Sequence, residues 1–349
     1  MGSLPRVVDT PERRSLFDRA ARWAGGPWTG IAAEGEPGRV NRRLVQVLGD
    51  DLLPRLFPAR LGGSRENDEA SAVELCLLRE ALATGFSEAE TALALQGLGA
   101  YPILQSGSED LARRWIPRVA SGEAVAAVAL TEPEAGSDVA AIRLRAKEAS
   151  GGFELWGAKT WISNAPEADV YTLFGRTSEE GAGGVTAFVV PGDSEGLSGR
   201  PLESLSRHPV GTLELEGVFV PNHHVLGDVG GGFKVAMRTL DLFRPSVGAF
   251  AIGMARAALD AARDHAGARE AFGRTLRGFQ AVSHRLAEMA TRIEAARLLV
   301  YEAAAAYDAG ERVTKLSAMA KLHATETAQE VIDGAIQIHG ARALEKGHL

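Results

Sequence analysis

Apolar and polar positions along the chain change rhythm twice. Up to residue 124 the pattern favours helix. Glu69 to Ala83 is rich in Ala, Leu and Glu and stops before Gly85. Ser108, followed by Glu109 and Asp110, predicts another helix start, with a hydroxyl N-cap and acids in the first turn. Between residues 125 and 228 alternation takes over, in Phe153/Leu155, Val170/Thr172/Phe174, Leu213/Leu215 and Val218/Val220. Gly151-Gly152, Gly183-Gly184, Pro191-Gly192 and Pro221-Asn222 interrupt these runs. Short strands with turns are predicted, in a sandwich or barrel and not a βαβ repeat. From Gly232 onward helix returns. Phe279, Val282, Leu286, Met289, Ile293, Ala296 and Val300 lie three and four apart, the seam of helices packed at a shallow angle. The Ala-rich stretch from Val313 to Gln337 would let a further helix approach closely. The expected fold is α+β in three blocks: a helical domain over 1–124, a central β domain over 125–228, and a helical bundle over 229–349.

Composition narrows the function classes. The chain has 349 residues, 45% hydrophobic and 24% charged, ordinary for a folded protein with a sizeable core. A net charge of −7 argues against a general nucleic-acid binder. No apolar run reaches the length of a membrane span, and MGSLPRVVDTPERRSLF lacks the apolar core of a signal peptide. The single cysteine, Cys76, lies in an apolar helical stretch and reads as a small core residue, so no cysteine zinc site can form. A cytoplasmic location is expected.

Several chemistries lack their signatures. There is no G-x-G-x-x-G, no Gly-Lys dipeptide, no G-x-S-x-G elbow and no H-E-x-x-H. His223-His224 follows a strand and a proline turn with no third ligand nearby, and reads as an exposed turn. Gly230-Gly231-Gly232 reads as the passage from sheet into helix.

Two stretches carry chemistry. In ALTEPEAGSD, Leu130-Thr131 would end a strand and Pro133 would take the chain out of the sheet. Ala135-Gly136-Ser137 then turns, offering backbone N–H groups to an anion. Thr131 offers a hydroxyl at the strand end. In GAKTWISN, Trp161 reads either as a core or interface aromatic or as a wall against a planar ring, with Ser163 donating nearby.

The pair ALTEPEAGSD and GAKTWISNA resembles the double signature of the acyl-CoA dehydrogenase family. The likeness runs the whole length. Arg269-Glu-Ala-Phe-Gly-Arg with Gln280 resembles the family's R-x-x-F-G…Q motif, and Gln337-Ile-His-Gly340 its Q-x-x-G motif. The resemblance implies an N-terminal helical domain, a central β domain and a C-terminal four-helix bundle. It also implies that Leu130, Thr131, Gly136, Ser137, Trp161 and Ser163 line FAD, with Thr131 near flavin N5 and Ser137 at the pyrophosphate. Arg269, Phe272, Gln280, Gln337 and Gly340 would reach the FAD of a neighbouring subunit, so a homo-oligomer, dimer or tetramer, is implied. Arg269 suits phosphate oxygens as a guanidinium fork. Ser137, Asp241 and Arg244 match positions on the acyl-pantetheine side. Ala271 and Ala341 depart from the pattern, standing where many relatives have a hydroxyl and a glycine.

The implied reaction is α,β-dehydrogenation of an acyl thioester, on CoA or a carrier protein, with an electron-transferring flavoprotein as acceptor. It needs a carboxylate base for the α-proton. In most relatives that Glu lies in a loop past the Q-x-x-G motif, here expected beyond Leu349. A minority place it directly before the arginine of an R-P pair, where this chain has Phe243 ahead of Arg244-Pro245. Glu132 and Glu134 are read as holding their turn. Two alternatives stay open: a flavin monooxygenase or oxidase of the same fold, and a non-catalytic homologue lacking the base.

Overall fold

The structure, a computed structural model, describes residues 4–26 and 28–347. Among the described residues six α-helices come first: α1 (Pro11–Ala24), α2 (Thr29–Glu34), α3 (Arg42–Gly49), α4 (Ala72–Leu82), α5 (Ser87–Ser106) and α6 (Glu109–Ala120). Strands β1 (Ala126–Ala129), β2 (Arg145–Ala149), β3 (Gly152–Ser163) and β4 (Val170–Arg176) follow. Next are β5 (Val185–Pro191), β6 (Leu197–Pro201), β7 (Val210–Pro221) and β8 (Val225–Leu226). The chain then forms α7 (Gly232–Ala268), a small hairpin of β9 (Glu270–Ala271) and β10 (Arg274–Thr275), α8 (Gln280–Asp308) and α9 (Thr314–His339). Helix, sheet and helix thus come in the predicted order.

Local chemistry explains where the helices start. The hydroxyls of Thr10, Ser71 and Ser108 accept from the amides of Arg13 (3.3 Å), Glu74 (3.1 Å) and Leu111 (3.3 Å). Ser108 therefore caps α6 as expected. The helix expected from Glu69 begins instead at Ala72, because Ser71 takes the cap.

The chain divides into two compact units. One comprises residues from Trp28 to Ala70 and from Thr91 to Leu240. Its sheet runs β6-β7-β3-β2-β4-β5-β8, with β1 paired in parallel to β4. Among the described residues no pairing joins β6 to β8, so the sheet is open, and the closed barrel allowed by the strand pattern is not formed. An apolar core of Phe57, Ile103, Trp115, Ile116, Phe174 and Val189 forms in this unit. Two devices fix the sheet against α5. Buried Gln96 donates to Ala124 O (2.7 Å) and accepts from Ala126 N (2.8 Å). Gly99 lies so close to β1 that a Cβ there would sit 2.5 Å from Ala127 N. The three glycines at 230–232 do pass from sheet to helix, with Gly230 N donating to Thr186 Oγ1 (2.8 Å). His224, expected on an exposed turn, is buried, its Nδ1 3.0 Å from Val189 O.

The other unit comprises the chain up to residue 26, Ser71–Glu90, and the chain from Asp241 on. The α8 seam is buried at Met289, Ile293, Ala296 and Val300, and half-buried at Phe279, Val282 and Leu286. A Cβ at Gly248 of α7 would meet Val300 Cγ2 at 2.7 Å and Ala324 Cβ at 3.2 Å, so the glycine sets the approach of α7 to α8 and α9. Cys76 is buried in α4, as expected of a core residue, and burial pushes its thiol up. Beside it, buried Glu80 accepts from Arg297 Nε (2.9 Å) and Tyr301 Oη (2.7 Å), and pairs with Arg256.

Candidate active site

The TEPEAGSD stretch leaves the sheet at the end of β1. Glu132 N donates to Ala135 O (3.0 Å) and Ala135 N to Glu132 O (3.2 Å), closing a tight turn over Pro133 and Glu134. The two acids of this turn have different fates. Glu134 is exposed, whereas Glu132 is buried and saturated. Its carboxylate accepts from Arg143 N (2.5 Å) and Leu144 N (3.0 Å), and faces the Lys159 ammonium at 2.7 Å. Beyond the turn Gly136 and Ser137 are exposed, and among the described residues no hydrogen bond is made by their amides. The Ala135 amide is spent on the turn, so the amides left open to an anion are those of Gly136 and Ser137.

The second stretch lies on β3, which carries an irregularity against β7. Lys159 faces Leu213 and Ile162 faces Gly211, so β3 has one residue in excess. Trp161 absorbs the kink at φ 57°, and its side chain is 63% exposed. It is therefore not a core aromatic. A bulky side chain in this conformation costs about 1–2 kcal/mol, and the indole gains little burial in return. The expense is concentrated at an aromatic ring presented outward.

The two stretches are joined directly. Thr160 N donates to Thr131 O (3.0 Å), and Lys159 Nζ to Leu130 O (2.9 Å). Leu130 and Thr131 are half-buried beside the bulge that presents Trp161. Ser163, at the end of β3, is half-buried with its Oγ 2.8 Å from His208 Nε2. Hydroxyls, free amides and one aromatic wall are a donor set suited to a planar ring joined to a phosphate anion.

The remaining predicted residues lie in the other unit. Phe272 (φ 53°) and Gly273 (φ 79°) form the two-residue loop of the β9–β10 hairpin, both left-handed as a primed turn requires. Phe272 is 97% exposed, and Arg269 and Gln280 are exposed beside it in sequence. Gln337 lies in the last turn of α9, where Gly340 closes the helix at φ 63°, ψ −147°, with its N–H bonded to Gln337 O. That conformation is open in practice only to glycine, which explains the last position of Q-x-x-G. Asp241 and Arg244, on α7, lie 3.3 Å apart and half-buried, and the other oxygen of Asp241 accepts from Thr314 Oγ1 (2.7 Å).

The comparisons with known proteins fit this geometry. Family models for the acyl-CoA dehydrogenase N-terminal, middle and C-terminal domains match residues 10–123, 127–218 and 230–349. The chain belongs to the acyl-CoA dehydrogenase family. It is 37% identical over 339 residues to a cyclohexane-1-carbonyl-CoA dehydrogenase of Geobacter metallireducens, covering 96% of this chain and 87% of that protein. The butyryl-CoA dehydrogenase structure from Megasphaera elsdenii superposes with a TM-score of 0.91 at 30% identity, covering 98% and 91% of the two chains. An FAD complex of PigA superposes equally well, at 0.91 and 26% identity over 97% and 90%.

Within this acyl-CoA dehydrogenase fold, two polar residues escaped the reading of the sequence. Lys159 sits in GAKTWISN with nothing to mark it as buried. His208 lies in a loop with no motif of its own, and only the fold brings it to Ser163. No helix of the described residues is long and apolar enough to cross a membrane.

Proposed function

We propose that the protein is an FAD-dependent dehydrogenase that converts an acyl-CoA thioester to its trans-2-enoyl thioester. The observation that carries this reading is the pair of hydrogen bonds joining Leu130-Thr131 to Lys159-Thr160, which sets the free amides and the exposed indole on one framework. When bound, FAD supplies the acceptor for the hydride that leaves the acyl β-carbon. The chain's own residues bind and orient. Thr131 and Ser163 offer hydroxyls to the flavin, with Leu130 beside them and Trp161 as a flat wall. Gly136 and Ser137 offer amides to the pyrophosphate, and Ser137 is also assigned to the acyl-thioester side.

Arg269, Phe272, Gln280, Gln337 and Gly340 are assigned to the FAD of a neighbouring subunit. All five are exposed, as residues serving a second copy must be in a single chain. The active form is accordingly a homo-oligomer, dimer or tetramer. Asp241 and Arg244 are assigned to the acyl-pantetheine, with Asp241 holding the guanidinium. Glu132 is not the α-proton base, because its oxygens are committed to Lys159, Arg143 and Leu144. The proposed domain division by sequence is 1–124, 125–228 and 229–349. The electron acceptor implied by the family resemblance is an electron-transferring flavoprotein, in the cytoplasm.

Anaerobic titration of the purified flavoprotein with saturated acyl-CoAs of several chain lengths tests the reading. Bleaching of the flavin band with at least one of them, with enoyl-CoA formed in equal amount, is expected. Binding without bleaching for every chain length would overturn it in favour of a non-catalytic homologue. Rapid oxygen consumption on readmitting air would move the assignment to an oxidase.

A further inference from the structure

Ser163 ends β3 opposite Val210, the first residue of β7. The loop between β6 and β7 returns across it, held by the Ser206 hydroxyl on His208 N (3.1 Å) and by Arg207 on Gly35 O (2.7 Å). This brings His208 Nε2 to 2.8 Å from Ser163 Oγ. The other ring nitrogen, Nδ1, is buried and has no hydrogen-bond partner among the described residues.

These contacts choose a tautomer. A serine hydroxyl has one proton to give, so either Ser163 donates to His208 or His208 donates to Ser163. If Ser163 donated, Nδ1 would carry the ring proton as a buried N–H with no acceptor, a rare and costly arrangement. With the proton on Nε2, the ring donates to Ser163 Oγ and leaves only a bare lone pair at Nδ1. Burial also lowers the His208 imidazolium below its ordinary range, which favours the neutral ring. The Ser163 proton is then released from the histidine and available to an acceptor on the cofactor side.

We infer that His208 is a positioning residue that fixes the Ser163 hydroxyl as a hydrogen-bond donor toward the bound flavin. The inference rests on the flavin reading of Ser163 given above. It names a device in the β6–β7 loop, which carries none of the signature motifs. A loop residue that merely packed would leave the direction of the Ser163 proton open.

Two measurements on the FAD-loaded wild type and its variants test it. Nitrogen-15 NMR of the imidazole is expected to show the proton on Nε2; a ring protonated on Nδ1 alone overturns the inference. His208→Leu is expected to weaken FAD binding about fivefold, the loss of one hydrogen bond, and to shift the flavin absorption band. Ser163→Ala is expected to do the same, and the double variant to go no further. His208→Gln, which keeps an N–H donor, is expected to restore most of the loss. If His208→Leu leaves affinity and spectrum unchanged while Ser163→Ala alters both, the inference fails and the flavin reading stands. If the wild type binds no FAD, it is the flavin reading that fails. Equal effects in His208→Leu and His208→Gln with a lowered melting temperature would assign His208 a packing role and also overturn the inference.

Discussion

The Lys159 ammonium lies 2.7 Å from Glu132 Oε1, with both side chains buried. The pair ties the exit of β1 to the bulge of β3, because Lys159 also reaches Leu130 O and Glu132 also holds the amides of Arg143 and Leu144. Removing one partner leaves a buried charge uncompensated. Lys159→Met is expected to lower stability by about 3–5 kcal/mol, and the double variant Lys159→Met/Glu132→Gln by less. Urea denaturation of the wild type, Lys159→Met, Glu132→Gln and the double variant checks this. A double variant as unstable as the sum of the singles would show that the pair is not coupled.

The same pair gives a pH dependence. Burial lowers the Lys159 ammonium to about 8, against the opposing pull of Glu132. In the unfolded chain the group returns to its ordinary value of 10.5. Between those values the unfolded state holds more protons at this site than the native state does. Stability contributed by this group therefore rises with pH across the window from about 8 to about 10.5. The unfolding free energy of the wild type minus that of Lys159→Met is expected to increase over that range. A difference that falls as pH rises would reverse the assignment.

Glu80 organises the other unit in a comparable way. Arg297, Tyr301 and Arg256, from two helices, all donate to a carboxylate on a third. Arg297 is 1% exposed, so it has no recourse to water when its partner is deleted. Glu80→Ala is expected to cost about 3–5 kcal/mol, and Glu80→Gln less, because the amide still accepts. Thermal denaturation of both variants decides, and equal losses would argue that shape and not charge is what matters at this position.

Trp161 should separate stability from cofactor binding. Its ring is mostly exposed and its backbone is left-handed, so Trp161→Gly relieves strain and sacrifices little packing. Stability without added FAD is expected to stay level or rise by about 1 kcal/mol. FAD affinity is expected to fall about tenfold or more as the stacking surface is lost. Fluorescence titration with FAD reads the second quantity. Unchanged affinity would return Trp161 to the class of incidental surface aromatics.

Much of this was legible in the residues, for identifiable reasons. The seam from Met289 to Val300 reports burial three and four apart and proved buried at those positions, whereas β4, expected to alternate at Val170/Thr172/Phe174, is buried on both faces because Tyr171 and Leu173 are covered too. Thr131, Gly136 and Trp161 stood out because hydroxyl, glycine and indole in a short polar run are uneconomical for an ordinary turn. Closure of the sheet was not legible, since strand pattern sets which residues face inward but not which edges meet. His224 and His208 were missed or misread for one physical reason. A polar side chain is drawn inward when the fold brings it an acceptor, Val189 O for buried His224 and Ser163 Oγ for half-buried His208, and both acceptors are distant in sequence.

Phe272 makes the strongest demand on the assembled protein. It occupies the first position of a primed turn, at φ 53°, where Asn or Gly would be unstrained, and it is almost wholly exposed. Its ring leans edge-on toward Phe279 at 6.3 Å, while the Arg274 guanidinium covers Phe279 at 3.9 Å. Within one chain, then, the phenyl group incurs a backbone cost and receives little packing. Phe272→Asn is expected to keep the hairpin and raise the stability of the isolated subunit by about 1 kcal/mol. If Phe272 serves the FAD of a neighbouring subunit, the same variant must weaken FAD binding several-fold in the oligomer, by loss of an apolar contact. Light scattering establishes that assembly is intact, and FAD titration then reads the contact. An assembled Phe272→Asn protein with undiminished affinity would remove Phe272 from the shared site, leaving Arg269 and Gln280 as the residues to test next.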